Sequence, residues 1–187
     1  MPKLILFNMM TIDGFFEGAN EELDWHHVDP EFNEFAIEQL DSASALIFGR
    51  KTYELMAGYW PTPDGIKDDP EVADGMNSIP KIVFSKTLHK AGWTNTKLIK
   101  SIVKEEIENL KQQSGKDIFM LGSANLAATF RQLGLIDEYR VMVNPVILGK
   151  GNPLFPLSDK RESLVLTKTR PFRNGNVLLI YSTIQPS

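Results

Sequence analysis

Gly49-Arg50-Lys51-Thr52 follows directly on an apolar run, Ala45-Leu46-Ile47-Phe48, and precedes a segment compatible with a helix. A strand, a tight turn and a helix start gather three things at one spot: backbone N–H groups without intrahelical partners, the positive end of a helix dipole and two cationic side chains. Together these suit a phosphate. A second stretch has the same plan. Asp117 to Leu121 reads as a strand, Gly122 and Ser123 as the turn, and Ala124 to Leu133 as a helix whose Leu126, Phe130 and Leu133 share a face. Two such units can present two helix N-termini to one ligand, and a pyrophosphate between them is the natural expectation. Neither turn has the spacing of a Walker loop or of G-x-G-x-x-G, so either one alone is more simply a plain connection.

Other residues with chemistry lie in the connections. Asp13-Gly14 ends a first apolar stretch, Lys3 to Met10. Asp-Gly is a turn signal, but the position also lies beyond the C-terminal end of a strand, where open α/β sheets place their ligands. Both readings stay open. Phe15 to Val28 is a long loop with Phe15, Phe16, Trp25 and the pair His26-His27, suited to a lid or a substrate-facing segment. Its aromatics either line an apolar pocket for a flat ring or anchor the loop to the core. Asp24, His26 and His27 make a poor metal set, because adjacent histidines point in different directions and no further His lies nearby. Ser85-Lys86-Thr87 follows a short strand and offers hydroxyls and a cation to a phosphate or a ribose. Lys150 sits between glycines in Asn144 to Gly151, a second candidate for a substrate-facing loop.

The elements that must position these residues are legible from apolar patterning. Beyond the strands already named, Lys81 to Phe84 and Thr96 to Ile99 read as strands. Asp29-Pro30 opens a helix that turns Phe32, Phe35, Ala36 and Leu40 toward the sheet. Short helices are expected over Thr52 to Met56 and Pro70 to Asn77, with a loop from Gly58 to Asp69. Ser101 is the expected cap of a helix from Ile102 to Gln113, buried through Val103, Ile107 and Leu110. After Gly134 the alternation of strand and helix stops. Tyr139 to Val143, Leu164 to Thr169 and Val177 to Thr183 are strands, the last two joined across Asn174-Gly175, a type I′ hairpin signal. The expected fold is α/β, a three-layer αβα domain over residues 1–187 with a mixed, mostly parallel sheet and antiparallel C-terminal strands.

Composition narrows the function. With 187 residues, 42% hydrophobic and a net charge of -4, the chain suits one globular domain and lacks the positive field that nucleic acid or an anionic membrane would need. It has no cysteine, which excludes disulfides, thiolate nucleophiles and Cys-based zinc sites. The start lacks the pattern of a signal peptide and no apolar run reaches transmembrane length, so a cytoplasmic location is expected.

The ordered set of motifs resembles the dihydrofolate reductase-like superfamily, and within it the C-terminal reductase domain of the bifunctional riboflavin-biosynthesis enzyme and its stand-alone relatives. The motifs are Thr11-Ile12-Asp13-Gly14, Gly49-Arg50-Lys51-Thr52-Tyr53-Glu54, Val83-Phe84-Ser85-Lys86-Thr87-Leu88, Leu121-Gly122-Ser123-Ala124-Asn125-Leu126 and Asn144-Pro145-Val146-Ile147-Leu148-Gly149. The resemblance implies an NADPH-dependent reductase of a small planar pteridine- or pyrimidine-like substrate. Under it, Gly49, Arg50, Lys51 and Thr52 would meet the cofactor phosphates, with Arg50 on the adenosine 2′-phosphate. Ser85 and Lys86 would lie near the same phosphate or the adenosine. Gly122, Ser123, Ala124 and Asn125 would give N–H groups to the pyrophosphate. Asp13 would position substrate or relay a proton, Trp25 would pack against the substrate, and Lys150 would contact a substrate phosphate. Relatives commonly pair, so a homodimer is expected.

Two positions depart from the pattern. The acid that dihydrofolate reductases place about five residues after a loop Trp is Pro30 here, between Asp29 and Glu31, which points away from dihydrofolate. Ser123 stands where many relatives have a second Gly, and it keeps the N–H donor. Reduction of 5-amino-6-(5-phosphoribosylamino)uracil is the alternative activity, and a nucleotide- or flavin-binding protein without catalysis is the alternative class.

Overall fold

The fold is built on one long central strand. In a computed structural model that describes residues 1–113, 115–156, 158 and 161–184, β1 (Leu4–Thr11) lies between β6 (Asp117–Met120) and β7 (Glu138–Asn144), parallel to both. The parallel half continues outward through β3 (Ala43–Gly49), β4 (Lys81–Phe84) and β5 (Thr96–Ile99). On the other side β10 (Val177–Thr183) runs antiparallel to β7, and β9 (Leu164–Pro171) runs antiparallel to β10. The resulting eight-stranded order is β5-β4-β3-β6-β1-β7-β10-β9.

Helices cover both faces, as continuously apolar strands require. On one face α5 (Lys104–Gln113) and α6 (Ala124–Gln132) bury Ile107, Leu126 and Phe130 against Leu4, Leu6, Ile47 and Met120. On the other, α1 (Pro30–Asp41), α2 (Arg50–Ala57) and α4 (Pro70–Ser78) pack Phe35, Tyr53, Val72 and Met76 against strand residues that include Ile5, Leu46, Val83 and Met9. The three-layer α/β expectation therefore holds. Each fully buried Leu, Ile or Phe contributes about 1.5–3 kcal/mol.

Several local expectations need correction. Residues expected as loop contain α3 (Pro63–Asp68), started by Thr62, whose side chain accepts from the Gly65 N–H. α5 begins at Lys104, so Ser101 does not cap it, and Val103 is exposed. The β9–β10 connection is not a type I′ turn, because Asn174 keeps a negative φ. Instead the Gly175 N–H donates to Phe172 O, and only Gly175 takes positive φ, at +91°. A small two-stranded sheet also forms between β2 (Phe15–Glu17) and β8 (Asn152–Pro153). Among the described residues no helix is long and apolar enough to cross a membrane.

One buried cation fixes how α4 meets the sheet. Lys81 is 1% exposed, and its Nζ donates to Met76 O, Asn77 O and Ile79 O at 2.8, 3.0 and 2.8 Å while lying 4.6 Å from the centre of the Trp93 ring. The ammonium thus satisfies carbonyls that a helix C-terminus leaves open. Lys81→Met should lower the unfolding free energy by about 2–4 kcal/mol in urea denaturation, since those carbonyls would be left buried and unpaired. A loss below about 1 kcal/mol would mean that they find other partners.

Candidate functional site

Parallel strands β3 and β6 are neighbours, so the chain leaves both at the same level and in the same direction. The two turns beyond them touch. Gly49 N–H donates to Gly122 O at 2.9 Å, and a Cβ added to Gly49 would lie 2.5 Å from Ser123 Oγ. Gly122 has φ +112°, a conformation that L side chains rarely adopt, and its peptide bond to Ser123 is cis. A Cβ there would crowd Thr52 Oγ1 at 3.1 Å and Phe16 at 3.4 Å.

α2 and α6 start from these turns. Their N-caps, Gly49 and Ser123, make no side-chain capping hydrogen bond, and neither first turn carries an acid. Both helices therefore present open N–H donors and positive dipole ends. They face one cavity of about 820 Å³, lined by Arg50, Lys51 and Thr52 from one turn and Ser123, Ala124 and Asn125 from the other. The two phosphate-type turns expected from sequence are thus brought together. Arg50 pairs with Glu54 at 2.8 Å and Lys51 with Glu21, all four side chains being substantially exposed. Exposed pairs of this kind are weak, so both cations can exchange their carboxylate for a phosphate.

The end of the cavity between the two helix N-termini, with open N–H donors and two cations, suits an anionic group. Gly49 and Gly122 let the two turns pack against each other, the places of their side chains being taken by Ser123 Oγ and by Thr52, Phe16 and Asn8. Asn8, buried in β1 and lining the cavity, has its Nδ2 beside Gly122 and its Oδ1 without a hydrogen-bond partner. Buried polar atoms without a hydrogen-bond partner are uncommon in folded proteins.

Other expected site residues lie elsewhere. Asp13 does not line the cavity. Its carboxylate accepts from Thr11 Oγ1 (2.7 Å), Leu148 N (3.2 Å) and Gly149 N (2.8 Å), and these bonds, Thr11's first, lower its pKa. Asp13 thereby fastens the 146–149 loop to the end of β1. Trp25 is 7% exposed and packs into the core with Met9, Phe35 and Phe172, so it supports the pocket from behind. Lys150 is exposed and outside the lining. Ser85 and Lys86 lie at the end of β4, beside β3, also outside it. Ser85 Oγ accepts from the N–H groups of Thr87 and Leu88. Asp29 caps α1 by accepting from Phe32 N, and Glu31 accepts from Arg173 N, so neither reaches the cavity.

Two lining residues were not singled out from sequence. Asn8 interrupts the apolar run Leu4 to Met10, and a lone amide in a central strand was the available signal. His26 was weighed only as a metal ligand. It lines the cavity, stands edge-on to Trp25 with ring centres 4.4 Å apart, and has a buried Nε2 without a partner. Burial lowers its pKa to about 4. The unfolded chain takes up this proton near 6.5, so between these values it binds more protons than the folded chain, and stability falls as pH drops from 6.5 toward 4. His26→Gln should remove up to about 3 kcal/mol of that decline in urea titrations at stepped pH. A decline of the same size in both proteins would show that His26 is not held neutral.

Comparison with known proteins gives the same architecture. The family described as RibD C-terminal domain matches residues 2–178. The chain is 37% identical over 181 residues to the uncharacterized protein YyaP of Bacillus subtilis (strain 168), covering 96% of this chain and 94% of that one. Acinetobacter baumannii RibD, form 2, superposes with a TM-score of 0.69 at 15% identity over 98% of this chain and 58% of that one. Dihydrofolate reductase from Enterococcus faecalis, complexed with NADP(H) and RAB-propyl, gives 0.64 at 15% identity over 98% and 97%. At these identities the two structures establish a shared fold.

Proposed function

The chain belongs to the RibD C-terminal domain family, and from that premise we propose that it is a reductase using NADPH to reduce a small planar substrate of pteridine or pyrimidine type. The observation that carries this reading is the meeting of two uncapped helix N-termini on one cavity with Arg50 and Lys51 at its rim. NADPH, when bound, supplies the hydride. The chain's own residues supply place and surroundings. N–H groups of Arg50 to Thr52 and of Ser123 to Asn125 hold the pyrophosphate. Gly49 and Gly122 let the two turns meet closely enough for both sets of N–H groups to face one ligand. Ser85 and Lys86, at the end of the adjacent strand, serve the adenosine end. The apolar walls and the β2–β8 flap over them keep water from the reacting ring.

Arg50 carries cofactor selection, because a guanidinium binds two oxygens of the adenosine 2′-phosphate at once. A homodimer is also part of this reading. β9 is an edge strand with Leu164, Val165 and Leu166 at 36%, 51% and 51% exposure, and a second copy is the partner that would cover it.

Arg50→Ala should weaken NADPH about 10–100-fold, the range for loss of charge-assisted hydrogen bonds, and leave NADH nearly unchanged. Titration of both nucleotides by tryptophan fluorescence measures this. Equal losses for both would overturn the assignment of Arg50.

A further inference from the structure

We propose that Lys51 and Glu21 couple the two ends of the cavity: an anion seated on the α2 turn draws Lys51 away from Glu21, and the carboxylate so freed accepts an N–H group of the ring bound beside it. This rests on the reading of the α2 and α6 turns as the cofactor's phosphate end. The cofactor's phosphates then prepare the acceptor that an amino-bearing pyrimidine or pteridine needs, whatever else that ring carries.

Two ion pairs hold the cations of the α2 turn, and they differ in where their carboxylates stand. Glu54, the partner of Arg50, lies outside the cavity and lines a separate groove with Tyr53 and Trp93. Its release changes nothing for a ligand in the cavity. Glu21, the partner of Lys51, lines the cavity itself. The other carboxylate among the described lining residues is Glu17, which already accepts from Asn152 Nδ2 at 2.7 Å. Glu21 is thus the lining carboxylate whose hydrogen bonding turns on an anion. Its bond and charge hold the Lys51 ammonium above the ordinary lysine range, so Lys51 stays a cation as it changes partner.

The loop that carries Glu21 does not depend on the pair. Glu21 N–H donates to Gly18 O at 3.1 Å, Gly18 N–H to Glu22 O at 3.0 Å and Asn20 N–H to the Glu22 carboxylate at 2.8 Å. Trp25, buried in the core, donates its Nε1 to Glu22 O at 3.2 Å, and β2 is paired with β8 at the other end. These ties hold Glu21 at φ +68°, a left-handed conformation that residues with a side chain seldom adopt. The carboxylate therefore stays beside the cavity when Lys51 leaves it. The apolar walls, Phe7, Val28, Leu55, Met56 and Trp60, seat a flat ring, and their side chains offer no oxygen to its N–H groups. A freed carboxylate supplies that oxygen in a charge-assisted hydrogen bond.

The test is calorimetry on the full chain with inorganic pyrophosphate and two ring probes, 2,4-diaminopyrimidine and 2,4-dimethoxypyrimidine, the second lacking N–H groups. Exposed ion pairs are weak, so each effect is about two- to fivefold. In wild type, saturating pyrophosphate should tighten the diamino ring by that factor and leave the dimethoxy ring unchanged. Lys51→Met should bind the diamino ring tighter than wild type by the same factor without any anion, and pyrophosphate should add nothing. That gain should vanish when Glu21→Gln is combined with Lys51→Met. Glu21→Gln alone should bind pyrophosphate about two- to fivefold more tightly, as the competing carboxylate is gone, whereas Glu17→Gln should not. A diamino ring indifferent to pyrophosphate in wild type, or a gain that persists in Glu21→Gln, would overturn the proposal. Failure of wild type to bind pyrophosphate would instead remove the shared phosphate site. Lys51→Met would still decide the role of Glu21, and a diamino-ring affinity equal to that of wild type would overturn it.

Discussion

The site depends on one close approach, the hydrogen bond from Gly49 N–H to Gly122 O between two turns that leave adjacent parallel strands. Parallel neighbours deliver their C-terminal ends to the same edge of a sheet, which is why ligands of open α/β folds gather there. Here the delivery is tighter than topology alone requires. The space where a side chain would stand at position 49 is taken by Ser123, and the space at position 122 is bounded by Thr52, Phe16 and Asn8. Backbone donors from both helices can consequently meet one small anion, an arrangement that a single helix N-terminus does not provide.

The other half of the cavity is organised by β1. Its alternation places Phe7 and Met9 on the face covered by α1 and Asn8 on the opposite face. The loops beyond β1 are then tied back. Asp13 binds the 146–149 loop through two N–H groups, and β2 pairs with β8 so that Phe16, Asn152 and Pro153 close over the opening. These ties hold the loops beyond β1 in place beside the cavity. The exposed pairs Arg50–Glu54 and Lys51–Glu21 keep the cations at the rim in the absence of an anion.

What the sequence made legible was local. Apolar runs ending in Gly49 and Gly122 announce strand-turn-helix units because the periodicity and the turn residue lie within one short window. The elements it hid were short or formed across the chain. β2 and β8 are three and two residues long, and Glu17 meets Asn152 across 135 positions. α3 has six residues and holds a Gly, although Thr62-Pro63 was a start signal. In the site, residue type marked the two turns that the fold brings onto one cavity, where the open donors belong to the backbone. It did not say where Asp13, Trp25 and Lys150 would stand relative to the cavity, because loop membership does not say which way a side chain faces. His26 and Asn8 gain their meaning only from what surrounds them.

Amide chemical-shift mapping during an NADPH titration tests the shared phosphate site most directly. The N–H signals of Arg50, Lys51 and Thr52 and those of Ser123, Ala124 and Asn125 should move together, with one dissociation constant. Movement of one turn without the other, or shifts centred away from both, would contradict a pyrophosphate held between the two helices.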